Sequence, residues 1–359
     1  MPINIFVVDD SALVRQSIIQ SLENAKDISV MGYAVDPIMA MEKFNKLGWP
    51  DVIILDIEMP RMDGLTFLRK IMSERPTPVV ICSTIAGPGS RAATEALSIG
   101  AVEVIHKPSQ DLRSFFGENA DDLLRAVRAA SVSKMGAHKR TQTVKLKKET
   151  ESIDKLSPDL MLSTKPLGAS RGTGSTVIAI GSSTGGVQVL EYLFTNIQAP
   201  CPPIVVVQHM PAGFTKAMAN RFNGLSELYI KEAEDGDVLL PSRVLVAPGN
   251  FHLMVKRVGS TLKVEVKDGA KVSRHRPSVD VLFRSCANEI GKDAVGFILT
   301  GMGDDGAIGM KEMRQTGAKT YAQNEESCTV FGMPKMALDN GAAMSPLTPE
   351  QIVAMINKL

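Results

Sequence analysis

Apolar residues fall into two series of short runs and helical patterns, one on each side of a polar stretch. In the first series, residues 3–8 form an apolar run broken only by Asn4 and ended by Asp9-Asp10. Ser11 then opens a helical pattern with Leu13, Val14, Ile18, Ile19 and Leu22 on one face. A second run over 28–34 leads through Asp36-Pro37, a capping residue followed by proline at the first helical position, into a helix stopped by Gly48. The run 52–55 delivers Asp56, and the turn-rich loop 58–64 precedes a helix over 65–72. After Pro76 and Pro78 come a strand over 79–82 ending at Ser83, a helix over 91–99, and a strand over 101–105 that delivers Lys107-Pro108. Five β-α units in series predict a doubly wound parallel sheet of five strands, with its chemistry at the carboxyl ends of the strands.

The second series begins at 177–180, a short apolar strand. It runs into Gly181-Ser182-Ser183-Thr184-Gly185-Gly186 and then a helical pattern at Val187, Leu190, Tyr192, Leu193 and Phe194. A strand over 204–207 ends in Gln208-His209-Met210-Pro211, an alternating hairpin spans 252–266, and a strand over 294–299 enters Thr300-Gly301-Met302-Gly303-Asp304-Asp305-Gly306 before a helix over 308–314. This half predicts a second doubly wound α/β domain, mostly parallel, with an antiparallel hairpin. Residues 131–174 between the two series contain no Phe, Trp or Tyr and carry a basic knot at Lys145, Lys147 and Lys148. Such a segment lacks the apolar material to offset the entropy of ordering, so a flexible linker with one short helix near 149–156 is expected. The expected domains are therefore 1–130 and 175–359, joined by 131–174.

Composition narrows the classes. A chain of 359 residues with 44% apolar content is long enough for two cores. A net charge of +1 removes the broad electrostatic argument for nucleic acid or an anionic membrane as main partner. No apolar run is long enough to span a bilayer, the chain starts directly on a strand, and Cys82, Cys201, Cys286 and Cys328 are too scattered for a zinc ribbon. A monomeric cytoplasmic protein without membrane insertion is the expectation.

In the first domain Asp9, Asp10 and Asp56 all stand at carboxyl ends of strands and should crowd one crevice. Crowded carboxylates repel unless a cation joins them, and an all-oxygen site suits Mg²⁺. Asp56 could then attack a phosphoryl donor while Lys107 and the Ser83 hydroxyl receive the phosphoryl oxygens. Over residues 1–130 this constellation resembles the receiver domain of two-component response regulators, which implies a flavodoxin-like fold and a sensor histidine kinase as phosphodonor. Val104 stands where receivers often carry an aromatic residue.

In the second domain the glycine-rich hexapeptide can cradle a phosphate at a helix N-terminus, raise a serine on a sharp elbow, or simply turn the chain. A dinucleotide site needs other glycine spacing and an acid about twenty positions further on, at the end of the next strand. That strand ends instead in Gln208-His209, and no lysine follows the glycines as in a P-loop. A hydroxyl beside an imidazole remains, and a serine nucleophile requires such a base and an acid to orient it. Asp304 and Asp305 both stand at a later strand end. The glycines around Met302 would let backbone N–H groups reach an oxyanion. His252, in the hairpin, reads as a half-exposed surface residue, and His275 lies in a basic loop suited to an acidic group of a substrate or the other domain.

Gly181–Gly186, Gln208-His209-Met210-Pro211, Arg276-Pro277-Ser278-Val279-Asp280, 299–306 and Phe331-Gly332-Met333-Pro334 together resemble the catalytic domain of the bacterial chemotaxis methylesterases. With the receiver and linker, the resemblance covers the whole chain. It implies Ser183 as nucleophile, His209 as base, Asp305 as orienting acid, and Thr184 and Met302 near the oxyanion. It further implies hydrolysis of glutamyl methyl esters and deamidation of glutamines on chemoreceptor cytoplasmic helices, with no cofactor for the ester chemistry. Phosphorylation of Asp56 would relieve covering of the Ser183 face by the receiver. The alternatives are a phosphorylation-controlled anion binder without catalysis and a DNA-binding regulator. The second domain offers no basic recognition helix for the latter.

Overall fold

A computed structural model describes residues 2–83, 88–107, 118–134, 156–165 and 176–359. The chain divides into two compact units, residues 1–138 and 139–359. In the first, β1 (Ile3–Val8), α1 (Ala12–Glu23), β2 (Ile28–Ala34), α2 (Pro37–Leu47), β3 (Val52–Asp56), α3 (Gly64–Glu74), β4 (Val79–Ser83), α4 (Pro88–Ile99) and β5 (Glu103–His106) alternate, and α5 (Glu118–Ser131) closes the series. The five strands pair in parallel in the order β2-β1-β3-β4-β5. Every residue of β3 and β4 is buried, as expected for strands covered by helices on both faces. Ser11, Asp36 and Asp63 start their helices by accepting the N–H of Val14, Met39 and Thr66. Ile5, Val7, Ile18, Leu22, Ile54 and Val127 make up the centre of the core.

The second unit contains β6 (Val177–Ser182), α6 (Gly186–Asn196), β7 (Ile204–Gln208), α7 (Phe214–Leu225), β8 (Tyr229–Glu232), β9 (Arg243–Val246), β10 (His252–Val258) and β11 (Thr261–Lys267). They are followed by α8 (Val279–Glu289), β12 (Ala294–Ile298), α9 (Ala307–Gln315), β13 (Lys319–Gln323), α10 (Met333–Asp339), β14 (Ser345–Leu347) and α11 (Pro349–Ile356). Seven strands form one parallel sheet in the order β14-β13-β12-β6-β7-β9-β8, and β10 and β11 form a separate antiparallel pair. The chain moves outward from β6 through β7 and then crosses back to β12 on the other side. This reversal makes the carboxyl end of β6 the switch point where such sheets place their ligands.

Two sequence expectations are corrected here. Residues 156–165, part of the stretch expected to be flexible, are docked on the second unit. Met161 and Leu162 pack with Met254, Val272 and Val281. Arg284 donates to Asp159 at 2.6 Å and to the Leu162 carbonyl at 2.9 Å, and the Lys165 N–H donates to Asn288 at 2.9 Å. Backbone hydrogen bonds and two aliphatic side chains thus replace the missing aromatics. The helix expected near 149–156 lies, apart from Leu156, outside the described residues. His252 is fully buried rather than half-exposed. Its Nε2 donates to the Ala270 carbonyl at 2.9 Å and its Nδ1 accepts the Ser278 N–H at 3.3 Å, so both ring nitrogens are used internally. Burial holds its pKa below the ordinary histidine value.

Candidate active site

Register between β6 and β7 pairs Ser182 with Gln208, so the next residues, Ser183 and His209, leave the sheet side by side. On the other flank the Ser183 N–H donates to the Thr300 carbonyl at 3.0 Å, which ties it to the end of β12. The Gln208 amide donates to the Ser183 carbonyl at 2.9 Å and the His209 carbonyl at 3.0 Å, and accepts the Ser182 hydroxyl at 2.7 Å. The two serines are therefore distinct. Ser182 is consumed in this clamp, whereas the Ser183 hydroxyl is buried and makes no hydrogen bond among the described residues.

Two glycines permit the close approach. Gly185 has φ +77°, and a β-carbon there would lie 2.4 Å from Thr329. A β-carbon on Gly301 would lie 2.7 Å from Ser183 Cβ. Helix α6 begins at Gly186, directing its N-terminal dipole toward the Ser183 turn.

His209 Nε2 and Asp305 Oδ2 are 2.8 Å apart, both residues being buried. The other carboxylate contacts of Asp305 are the Ser278 hydroxyl at 2.8 Å and the N–H groups of Val279 at 2.8 Å and Asp280 at 2.9 Å, the first turn of α8. Burial pushes the Asp305 carboxyl up. The hydrogen bond and charge of His209, with the two helix N–H groups, outweigh it and hold Asp305 below the ordinary carboxylate value. Donation to an ionised carboxylate puts the ring proton on Nε2, leaving Nδ1 as acceptor. Nδ1 is buried and, like the Ser183 hydroxyl, unpaired among the described residues. Of the aspartate doublet, Asp305 is the one on the imidazole, and Asp304 is half-buried beside it.

Two residues near the imidazole exceed what the sequence indicated. His275 does not simply present a basic loop outward: its ring lies flat on His209, with centroids 3.7 Å apart and planes 10° from parallel. Asp280 was visible only as part of a motif. Fully buried, it accepts the N–H of Ile308 at 3.0 Å and Gly309 at 2.9 Å, in the first turn of α9, and the Ser273 hydroxyl at 2.8 Å. Burial first, and then the Asp305 charge, push its pKa upward. Each aspartate thus caps the helix that bears or follows the other.

Thr184 is buried, and its carbonyl accepts the Thr300 hydroxyl at 3.0 Å. Met302 is half-buried between Gly301 and Gly303, whose φ is +92°. Thus the hexapeptide and the loop 300–306 meet around Ser183, as chain order alone does not require.

In the first unit, Asp9, Asp10 and Asp56 offer oxygens within 4.8 Å of one another, with Asp9 and Asp56 buried and Asp10 exposed. Lys107 Nζ lies 2.6 Å from Asp56 and 3.1 Å from Asp9. Burial pushes the Asp56 carboxyl up to about 6, the Lys107 hydrogen bond opposing and the Asp9 charge adding. Three hard oxygen donors, one of them open to water, fit a divalent cation of the Mg²⁺ type. Ser83 ends β4, and its carbonyl accepts the Lys107 N–H at 2.8 Å, so hydroxyl and ammonium residues flank the same crevice.

A doubly wound unit with an acidic crevice at its strand ends, followed by an α/β unit with hydroxyl, imidazole and carboxylate at neighbouring strand ends, defines the class: a response regulator with an enzymatic output. Residues 5–114 match the response regulator receiver domain and residues 178–356 match the CheB methylesterase family. A protein-glutamate methylesterase/protein-glutamine glutaminase of Chromobacterium violaceum is 51% identical over 355 residues, covering 99% of each chain. One from Xanthomonas oryzae pv. oryzae is 51% identical over 337 residues, covering 94% of this chain and 95% of that protein. The crystal structure of the Thermotoga maritima CheB methylesterase catalytic domain aligns with TM-score 0.50 and 39% identity, covering 51% of this chain and 98% of that one. The chain belongs to the CheB methylesterase family of response regulators. Among the described residues no helix is long and apolar enough to cross a membrane.

Proposed function

We propose that the chain hydrolyses glutamyl methyl esters, and deamidates specific glutamines, on the cytoplasmic helices of chemoreceptors for sensory adaptation. Ser183 Oγ attacks the ester carbonyl and passes its proton to His209 Nδ1. Asp305 holds the ring and stabilises the imidazolium through Nε2. N–H groups at Thr184 and Met302 receive the negative oxygen of the tetrahedral intermediate, assisted by the α6 N-terminus. The imidazolium returns its proton to the departing methoxide, which leaves as methanol, and an acyl-Ser183 remains. Water, deprotonated by His209, attacks the acyl carbon and releases the glutamate carboxylate and the free serine. With a glutamine substrate the same steps release ammonia.

One observation carries this reading. Among the described residues the Ser183 hydroxyl and His209 Nδ1, on adjacent strand ends, are both buried and unpaired, while Nε2 is engaged by a carboxylate. Nature seldom leaves two such atoms unsatisfied without a use for them.

Control comes from the first unit. Asp56 accepts a phosphoryl group from a sensor histidine kinase, with Lys107 and Ser83 receiving its oxygens and Asp9, Asp10 and Asp56 as the ligands of Mg²⁺. The ion, when bound, neutralises phosphoryl charge. Phosphorylation then raises ester hydrolysis.

Methanol release from methylated receptor membranes tests the proposal. Wild type is expected to release methanol, faster with a small phosphodonor. Ser183→Ala is expected to release none while keeping its circular dichroism spectrum, and continued release by that variant overturns the assignment.

A further inference from the structure

A hydrogen bond at one ring nitrogen fixes where an imidazole's tip sits but leaves its plane free to tilt. His209 has such a bond to Asp305, and its Nδ1 lone pair must still lie in the direction of Ser183 for proton transfer. The plane of the ring is therefore as important as its position. What lies on the ring face is His275, with centroids 3.7 Å apart and planes 10° from parallel.

Aromatic pairs left to themselves set their ring centroids about 4.5–7 Å apart, so a nearly parallel pair at 3.7 Å is closer than free rings adopt. The stack is accordingly imposed by the backbone that carries His275. Val272 and His275 exchange backbone hydrogen bonds of 3.0 and 2.9 Å, closing a two-residue turn. Its central residues, Ser273 and Arg274, have φ of +49° and +70°. Such a turn is ordinarily built from Gly or Asn, and non-glycine residues hold this conformation only where the surroundings compel it.

The compulsion is visible. The Ser273 hydroxyl donates to Asp280 at 2.8 Å, the Ser273 N–H donates to the Leu156 carbonyl at 3.0 Å, and Val272 is fully buried against Met161 and Leu162. Asp280 is in turn fixed by the first turn of α9, and its own N–H holds Asp305. The edge of His209 and the face of His209 are thus tied to the same pair of carboxylates.

We propose that His275 is a positioning residue: its ring, held by the Val272–His275 turn, sets the plane of His209 so that Nδ1 faces Ser183. A flat ring there also offers its π-face to the imidazolium that forms when His209 takes the serine proton. The inference deepens the proposed ester hydrolysis and rests on it. It assigns His275 no contact with the substrate, so the effect belongs in kcat rather than in KM.

The test is steady-state methanol release by the full chain, with kcat and KM measured separately for wild type, His275→Ala, His275→Leu and His275→Phe. Phenylalanine keeps a flat ring on His209, leucine fills the volume without one, and alanine leaves the face bare. Tilting a base away from its attack geometry costs on the order of 10²-fold. Alanine and leucine are therefore expected to lower kcat about 10- to 100-fold with KM within about twofold. Phenylalanine is expected to stay within about threefold of wild type in both.

If His275→Ala fails to fold, the comparison of leucine with phenylalanine decides. Equal kcat for those two, or a loss that falls on KM, overturns the proposal. Methanol release that persists in Ser183→Ala overturns instead the hydrolytic mechanism on which it rests, so the two failures are told apart.

Discussion

A β-carbon added at Gly301 would lie 2.7 Å from Ser183 Cβ and 2.4 Å from the Met333 sulfur. Comfortable carbon–carbon contact begins near about 3.5 Å, so Gly301→Ala demands roughly 0.8 Å of retreat at the serine. The Met333 thioether can swing aside, but Ser183 cannot do so freely. Its N–H is bonded to Thr300 at 3.0 Å, and its carbonyl to Gly186 at 2.8 Å and Gln208 at 2.9 Å. The loop itself is equally pinned, because the Gly301 N–H donates to Val330 at 3.0 Å and the Gly301 carbonyl accepts from Met333 at 2.8 Å. The displacement therefore falls between the proposed nucleophile and the loop proposed to receive the oxyanion. A misplacement near 1 Å costs on the order of 10²-fold, or about 2.7 kcal/mol of transition-state stabilisation. Overpacking a buried site costs about 1–3 kcal/mol of stability, small enough for the chain to remain folded. The assay pairs kcat for methanol release with a thermal melt: about 100-fold slower turnover is expected, with a melting point a few degrees lower. A folded Gly301→Ala protein turning over within threefold of wild type refutes this account of the Ser183–loop contact.

Asp280 gives a prediction in pH. The folded chain holds its carboxyl proton up to about 7 because the group is buried beside the Asp305 charge, whereas the ordinary carboxyl value is 3.8. The folded state therefore binds more protons between those values, so stability is lost as pH rises through that window, by at most about 1.4 kcal/mol for each pH unit crossed. Asparagine does not ionise and escapes this loss. Asp280→Asn should gain melting temperature relative to wild type between pH 5 and pH 8, and a difference independent of pH contradicts the assignment. Asp56→Asn removes the proposed phosphoacceptor. It should abolish the increment in methanol release produced by a small phosphodonor, and an undiminished increment places phosphorylation elsewhere.

Much of the architecture is legible in the chain because parallel strands buried on both faces must be apolar throughout and must stop at polar residues. Val52 to Leu55 ending at Asp56, and Ile204 to Val207 ending at Gln208-His209, state both the strand and its carboxyl end. The serine and histidine are legible for the same reason, since a β-α-β unit sets successive strand ends side by side. Short edge strands are not. Tyr229–Glu232 and Ser345–Leu347 close the two edges of the sheet with few apolar residues, and only pairing with a neighbour makes them strands. The hairpin alternates as a half-exposed ribbon would, yet its His252 is covered by Ser278 at the start of α8, a contact across 26 positions. Asp280 and His275 depend on the N-termini of two helices meeting and on a two-residue turn ahead of the first of them, neither of which leaves a periodic trace. Docking of residues 156–165 uses carbonyl groups, which every sequence possesses, to meet Arg284 and Asn288.

Labelling with a fluorophosphonate, followed by mass spectrometry of the adduct, tests the central claim most directly. A phosphonyl group carried covalently by Ser183 alone, lost in Ser183→Ala and slowed when Asp305→Asn leaves His209 without its carboxylate, is the predicted result. An adduct on another residue, or none on Ser183 in a protein that releases methanol, contradicts it.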